Sequence, residues 1–190
     1  MNEKIIYNQI TEQIDDYISK QTNCCKIGCS HCCFQLIETI HIERESIREF
    51  VINKTDETQK KIIKKNLAKW LDFFDSNTAN NRILDKMDIF KEFRDLSILK
   101  KEKCPFLIEN KCSIYEKRPI ACRLHIVEHS PELCKIEPYR DSSQQIQNVR
   151  MNLIIKLKTM MSVKVEPLPY VVADIFLPQR KLKPIKELNL

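Results

Sequence analysis

The chain has 190 residues, of which 43% are hydrophobic and 31% charged, and its formal net charge is +6. This composition is typical of a folded globular protein with one core of its own. It argues against a membrane protein, because no apolar run reaches the roughly 18 residues that a transmembrane helix needs.

The predicted elements are mainly helices, because apolar side chains recur at helical spacing along most of the chain. The helical segments are residues 3–20, a stretch that starts near Glu43, residues 56–76, the run from Ile83 to Leu96, and the run from Ile146 to Met161. Residues 36–42 are rich in β-branched side chains and predict a short extended segment. The proline-rich tail predicts a short helical segment followed by a docked or loose arm.

Two cysteine-bearing segments interrupt this helical pattern. The first is NCCKIGCSHCCFQL, residues 23–36, and the second runs from Cys104 to Cys134. We therefore predict a mainly α fold, a single small helical domain over residues 1–190 whose two irregular segments converge on a metal site. The cysteine-cluster core would span about 24–136, with a helical insert at about 55–100.

Nine cysteines in two tight groups are more than a core of this size needs as small apolar side chains. The N-terminal segment has acidic residues and no long apolar run, so we expect no secretory signal and a cytoplasmic location. Clustered thiols in that compartment more often bind metal or do redox work than form disulfides. All cysteines but Cys24 are candidate metal ligands: Cys25, Cys29, Cys32, Cys33, Cys104, Cys112, Cys122 and Cys134.

Glycine and proline positions support a tight ligand loop. Gly28 is the only glycine of the chain and lies beside Cys29, where a glycine lets the backbone take a positive φ, or come close to the metal, without a Cβ clash. Pro105 and Pro119 stiffen the second segment and stop it from continuing as a helix.

The eight cysteines are enough for two Cys₄ sites, or for one polynuclear site with ligands to spare. The side chains of adjacent residues usually diverge. Either one of Cys32 and Cys33 therefore lies next to the ligands without binding the metal, or the two bind different metal atoms. Zinc sites are usually built from paired C-x₂-C elements, and that pairing is missing here. All-sulfur ligation at irregular spacing favours an iron–sulfur cluster over zinc.

Two arginines flank Cys122. Arg118 and Arg123 either offset the charge of an anionic centre and donate to its sulfurs, or form salt bridges with Glu116 or Glu128. The remaining lysines are spread along the chain, and metal-bound thiolates would cancel much of the positive charge. We therefore do not expect nucleic acid as a partner.

The spacing of Cys25, Cys29 and Cys32 matches the cluster motif of radical S-adenosylmethionine enzymes. Those enzymes resemble one another in a partial α/β barrel with glycine-rich strand ends, whereas the residues after Cys32 contain no glycine and have helical periodicity. The lack of glycine also excludes a Walker loop and a dinucleotide-binding fingerprint.

The order of the motifs resembles the YkgJ-type cysteine-cluster family, whose members are described as zinc- or iron-chelating. The matching elements are CxxxCxxCC at 25–33, CPFL at 104–107, Cys112 before Ile114-Tyr115, RPxxCR at 118–123, and the later Cys134. The resemblance implies a metal centre. Flagellin lysine methylase looks like a distant member, so the resemblance also admits S-adenosylmethionine as a cofactor and a protein as substrate.

The resulting prediction is a cysteine-ligated metal-binding protein, with an iron–sulfur cluster in a redox or accessory role. One alternative is an iron–sulfur, S-adenosylmethionine-dependent protein-modifying enzyme, and another is a structural zinc-binding module. The sequence identifies neither a protein partner nor a substrate, and it leaves open whether the chain is an enzyme.

Overall fold

The computed structural model describes residues 3–22, 25–77, 93, 95–128, 130–137, 142–160 and 164–183, and the fold is mainly α, as predicted. The helices are α1 Glu3–Ser19, α2 His41–Lys54, α3 Glu57–Asn77, α4 Ile120–Arg123, α5 Leu133–Ile136, α6 Gln144–Met160 and α7 Ala173–Phe176. The strands are β1 Glu38–Ile40, β2 Leu107–Ile108, β3 Lys111–Cys112 and β4 Val165–Pro167. Three 3₁₀ turns span His31–Phe34, Tyr115–Lys117 and Leu168–Val172.

Most predicted elements lie where the periodicity placed them. The helix predicted from Glu43 begins two residues earlier, at His41, directly after the extended segment. The helix predicted from Ile83 to Leu96 falls mostly outside the described residues, although residues 95–99 are helical.

An antiparallel pair joins the tail to the segment that follows the first cysteines. Strand β1 pairs with β4, and Thr39 lies opposite Glu166. The Thr39 hydroxyl donates to the Glu166 carbonyl at 3.0 Å, and the Arg44 guanidinium contacts the Glu166 carboxylate at 2.6 Å. Because Arg48 also pairs with Asp174 at 2.5 Å, the tail is held along α2 from β4 to α7.

Two hydrophobic clusters hold the helices together. The α3 cluster packs Trp70 and Phe74 against Phe93 and Tyr170, with 5.0 Å between the Trp70 and Phe74 ring centroids and 4.8 Å between those of Phe74 and Phe93. The α1 cluster buries the apolar face of α1 against α4, α6 and β4. Both clusters remove large apolar side chains from water, which is the main favourable term in folding.

The two cysteine segments pack against these clusters. Cys104 and Cys112 pack against the α3 cluster, and Cys25 packs against the α1 cluster. In the part of the chain that the structure describes, no helix is both long and apolar enough to span a bilayer.

Candidate metal centre

The first cysteine segment begins with a tight turn at the lone glycine. The Cys29 amide donates to the Lys26 carbonyl at 2.9 Å, and Gly28 has φ +95°, which confirms the predicted positive φ. A Cβ added to Gly28 would meet nothing within 4 Å. Glycine is therefore required here for its backbone conformation and not for space. The 3₁₀ turn that follows carries Cys32 and Cys33.

The second segment begins with the β2–β3 hairpin. Leu107 lies opposite Cys112, and the connecting residues Glu109 and Asn110 have φ of 48° and 61°. Two consecutive positive φ angles are the geometry of a tight hairpin turn, which this chain makes without glycine. The hairpin returns Cys112 towards Cys104. Asn66 of α3 donates to the Pro105 carbonyl at 3.2 Å and so anchors the hairpin.

A backbone hydrogen bond joins the two segments at their cysteines. The Cys104 amide donates to the Cys33 carbonyl at 2.7 Å. These residues are 71 positions apart in the chain, so this bond fixes the first segment against the second.

Cys122 is brought to the same place by the short helix α4. Pro119 precedes this helix, and the Ile120 amide donates to the Glu43 carboxylate at 2.6 Å. Glu43 is 1% exposed and also accepts the Ile40 amide at 2.9 Å. One buried carboxylate therefore connects the start of α2 to the start of α4. Burial raises the pKa of Glu43 to about 7 although both amides and Arg123 oppose the rise.

Five thiols form one electrostatically coupled group: Cys32, Cys33, Cys104, Cys112 and Cys122. The Cys32 and Cys33 thiols are hydrogen-bonded to each other. The sulfurs of this adjacent pair therefore lie together, where the sequence argument expected adjacent side chains to diverge.

The ionisation of this group is strongly unequal. The hydrogen bond from Cys33 lowers the pKa of Cys32 to about 7, and the same bond raises the pKa of Cys33. Burial raises the pKa of Cys104 to about 12, and Cys112 adds to this rise. Burial and then the charges of Cys32, Cys104 and Cys112 raise the pKa of Cys122. Five thiolates this close repel one another, so a bound cation is what would stabilise them together.

The chemistry of this donor set fits a soft metal centre. Every coupled donor is a thiol, and thiolates select zinc, copper(I) or iron–sulfur clusters over hard cations. Within the described ranges, no three His, Cys, Asp or Glu side chains already stand as a preformed metal-binding group.

The other predicted ligands lie in adjoining segments. The Cys25 sulfur accepts the Val127 amide at 3.4 Å, just beyond α4. Cys29 lies in the Gly28 turn, and Cys134 lies on α5, which packs against the turn His31–Phe34. No disulfide joins the eight cysteines that the structure describes, and Cys24 lies outside the described residues.

The two arginines beside Cys122 have different surroundings. Arg123 is 5% exposed, donates to the Asp15 carboxylate at 2.5 Å and donates to the Glu116 and Arg118 carbonyls at 2.5 and 3.0 Å. The predicted salt-bridge alternative thus applies to Arg123, but with Asp15 as the acid. Asp15 lies in α1, 108 residues before Arg123, and nothing in the local sequence marks it as the partner.

Among the described residues, Arg118 has no such acid. Its guanidinium lies 4.1 Å from the centroid of the Tyr115 ring. Its charge lowers the pKa of Cys32 and Cys112, although burial outweighs it at Cys112. Its Nε is buried and has no hydrogen-bond partner in the part of the chain that the structure describes, and the same holds for the Ser113 hydroxyl. Two unsatisfied polar groups therefore lie in the same segment as Cys112 and Cys122.

Comparison with known proteins identifies the cysteine segments as one unit. The family model CxxCxxCC, described as "Putative zinc- or iron-chelating domain", matches residues 23–152. No curated protein and no solved structure matches the chain. The matched range contains all nine cysteines and agrees with the resemblance drawn from their order.

Proposed function

This chain belongs to the CxxCxxCC family, and from this premise we propose that it is a metalloprotein whose centre is an iron–sulfur cluster with a redox or accessory role. The observation that carries this proposal is the group of five coupled thiols from three parts of the chain. A closed zinc site uses four ligands, whereas five or more clustered thiols with an adjacent pair suit a polynuclear centre.

The proposed ligands are the cysteines of the coupled group, together with Cys25, Cys29 and Cys134 from the adjoining segments. When bound, an iron–sulfur cluster supplies one-electron chemistry. The chain's own contribution is to hold half-buried sulfurs from separate segments close to one another. Phe106 and Ile114, both 0% exposed, flank Cys104 and Cys112 in the chain and supply apolar surroundings. Such a shell and the hydrogen bonds to sulfur set the potential of a cluster.

The first test is anaerobic purification, with iron, zinc and acid-labile sulfide measured on one sample. We expect a brown protein with iron and sulfide in matching amounts. A colourless protein with zinc and no sulfide would overturn the cluster and support the structural zinc module instead.

A pair of serine substitutions then tests the ligand group. Cys122→Ser should lose most of the bound metal, because Cys122 belongs to the coupled group. Cys24→Ser is the matched control, since Cys24 is the cysteine left out of the proposed set, and it should keep the metal. Equal metal content in both variants would count against the ligand assignment.

The protein-modifying alternative needs S-adenosylmethionine at the centre. Addition of S-adenosylmethionine to the iron-loaded protein distinguishes it from an electron-transfer or accessory role. A change in the spectrum of the cluster on addition would favour the enzyme, and an unchanged spectrum would favour the proposed role.

A further inference from the structure

Arg118 is a half-buried cation whose Nε is buried and, among the described residues, has neither a carboxylate nor another hydrogen-bond partner. Its guanidinium lies 4.1 Å from the centroid of the Tyr115 ring, and its amide donates to the Tyr115 carbonyl at 3.5 Å. A guanidinium has five N–H donors and keeps its charge in proteins. Leaving a buried donor without a partner is unfavourable, so buried donors are normally satisfied.

The neighbouring Arg123 provides an internal comparison. Its side chain is satisfied by the Asp15 carboxylate and by two carbonyls, one of them the carbonyl of Arg118 itself. Arg123 thereby holds the backbone of Arg118, and this contact does not involve the Arg118 side chain. The Tyr115 ring then limits where the guanidinium points, since a cation over a ring is held by the ring's negative face.

Two of the proposed ligands are close to Arg118 along the chain: Cys112 is three residues before its ring partner Tyr115, and Cys122 is four residues after Arg118. The Arg118 charge acts on Cys32 from the first segment and on Cys112 from the hairpin. The Arg118 charge therefore acts on thiols of both segments.

We infer that Arg118 is a positioning residue of the metal centre: held by Tyr115, it donates its buried Nε–H to a sulfur of the assembled centre and offsets the centre's negative charge. This inference rests on the proposed function for its redox consequence, but it applies to any thiolate-bound metal. A cation and a donor at sulfur stabilise the more negative, reduced state and also favour thiolate over thiol.

The test compares Arg118→Gln, Arg118→Lys and Lys117→Gln with the unchanged protein, each purified anaerobically with its metal. Arg118→Gln removes both the positive charge and the Nε–H donor. Arg118→Lys keeps the charge but lacks the planar guanidinium and its Nε–H. Lys117→Gln removes a positive charge one residue earlier in the chain. Two quantities are measured, the reduction potential of the cluster and the pH at which half of the metal is released on acidification.

We expect Arg118→Gln to favour the oxidised state by at least tenfold, which is a potential lower by about 59 mV for one electron. Its metal should be released about one pH unit higher, because the thiolates lose a neighbouring positive charge. Arg118→Lys should lie between this variant and the unchanged protein, and Lys117→Gln should change little.

Equal shifts for Arg118→Gln and Lys117→Gln would overturn the inference, because any nearby charge would then suffice. An Arg118→Lys protein indistinguishable from the unchanged one would overturn the role of the Nε donor. If Arg118→Gln retains no metal, the Arg118→Lys comparison decides by the same criterion. If the protein holds zinc without sulfide, the cluster proposal fails, while the acid-release midpoints still decide the role of Arg118.

Discussion

Replacement of Glu43 by glutamine tests the buried connection between α2 and α4. The carboxylate accepts two backbone amides, and an amide side chain can accept only through its one oxygen. One buried N–H then loses its partner, which costs about 1–3 kcal/mol. This loss should dominate near pH 5, where the carboxyl group of the folded protein is protonated.

The pKa of Glu43 determines whether its contribution to the free energy of unfolding rises or falls with pH. The pKa of Glu43 is about 7 in the folded protein and 4.5 in its ordinary state, so the folded protein binds more protons between these values. The stabilisation from this group is present at low pH and is lost as pH rises to about 7. The cost of ionisation in the folded state is on the order of 3 kcal/mol, since one pH unit corresponds to about 1.4 kcal/mol. Tyr7, Cys122 and Arg123 are the titratable or charged groups that interact with this carboxylate.

The measurement is urea unfolding of the metal-loaded protein at pH 5, 6, 7 and 8. Subtraction of the unchanged protein from Glu43→Gln removes the pH dependence that both share through the metal. The variant should be less stable at pH 5 and should gain on the unchanged protein by about 3 kcal/mol towards pH 8. Glu45→Gln, an exposed position on the same helix, is the control and should show no such gain. A difference that stays constant over this range would refute the reasoning.

Three further predictions follow from single side chains. Gly28→Ala should cost about 1–2 kcal/mol in urea unfolding, because φ +95° is strained for alanine although the added methyl meets no atom. Gly28→Asn should cost less, and equal losses would contradict a backbone cause. Arg123→Leu should lower stability by about 2–3 kcal/mol, since it removes a buried side chain that donates to two part-buried carbonyls and to Asp15, whereas Asp15→Asn should cost less. Phe74→Ala should cost about 3–5 kcal/mol in the same assay, because it empties the centre of the α3 cluster, and a loss below 1 kcal/mol would show that the cluster is not close-packed.

The helices could be predicted from the sequence because their apolar spacing is local information. Ile10 and Ile14 of α1 and Ile63, Leu67 and Trp70 of α3 recur at helical intervals, and all are buried. The pairing of β1 with β4 could not be predicted, since three-residue strands carry little pattern and their partner lies far along the chain.

In the candidate site, too, the local features could be predicted from the sequence and the long-range contacts could not. Cysteine spacing and the lone glycine predicted where the thiols would gather, because tight turns and ligand motifs are local. The roles of Glu43 and Asp15 are long-range: each contacts a backbone amide or a guanidinium of the α4 region from a distant helix. A single sequence gives no sign of such partners, and it also could not separate Arg118 from Arg123.

The hydrogen bonds between β1 and β4 bear on when, during synthesis, the first cysteine segment can reach its final structure. During synthesis the first cysteine segment emerges early, but its outgoing strand acquires its partner only when residues 165–167 have left the ribosome. Contacts between distant parts of a chain form late, because the entropy of closing a long loop is lost before the contact contributes any favourable free energy. We therefore expect the thiols to meet their metal only after most of the polypeptide has been translated, so that loading of the centre is a late step in the maturation of the protein.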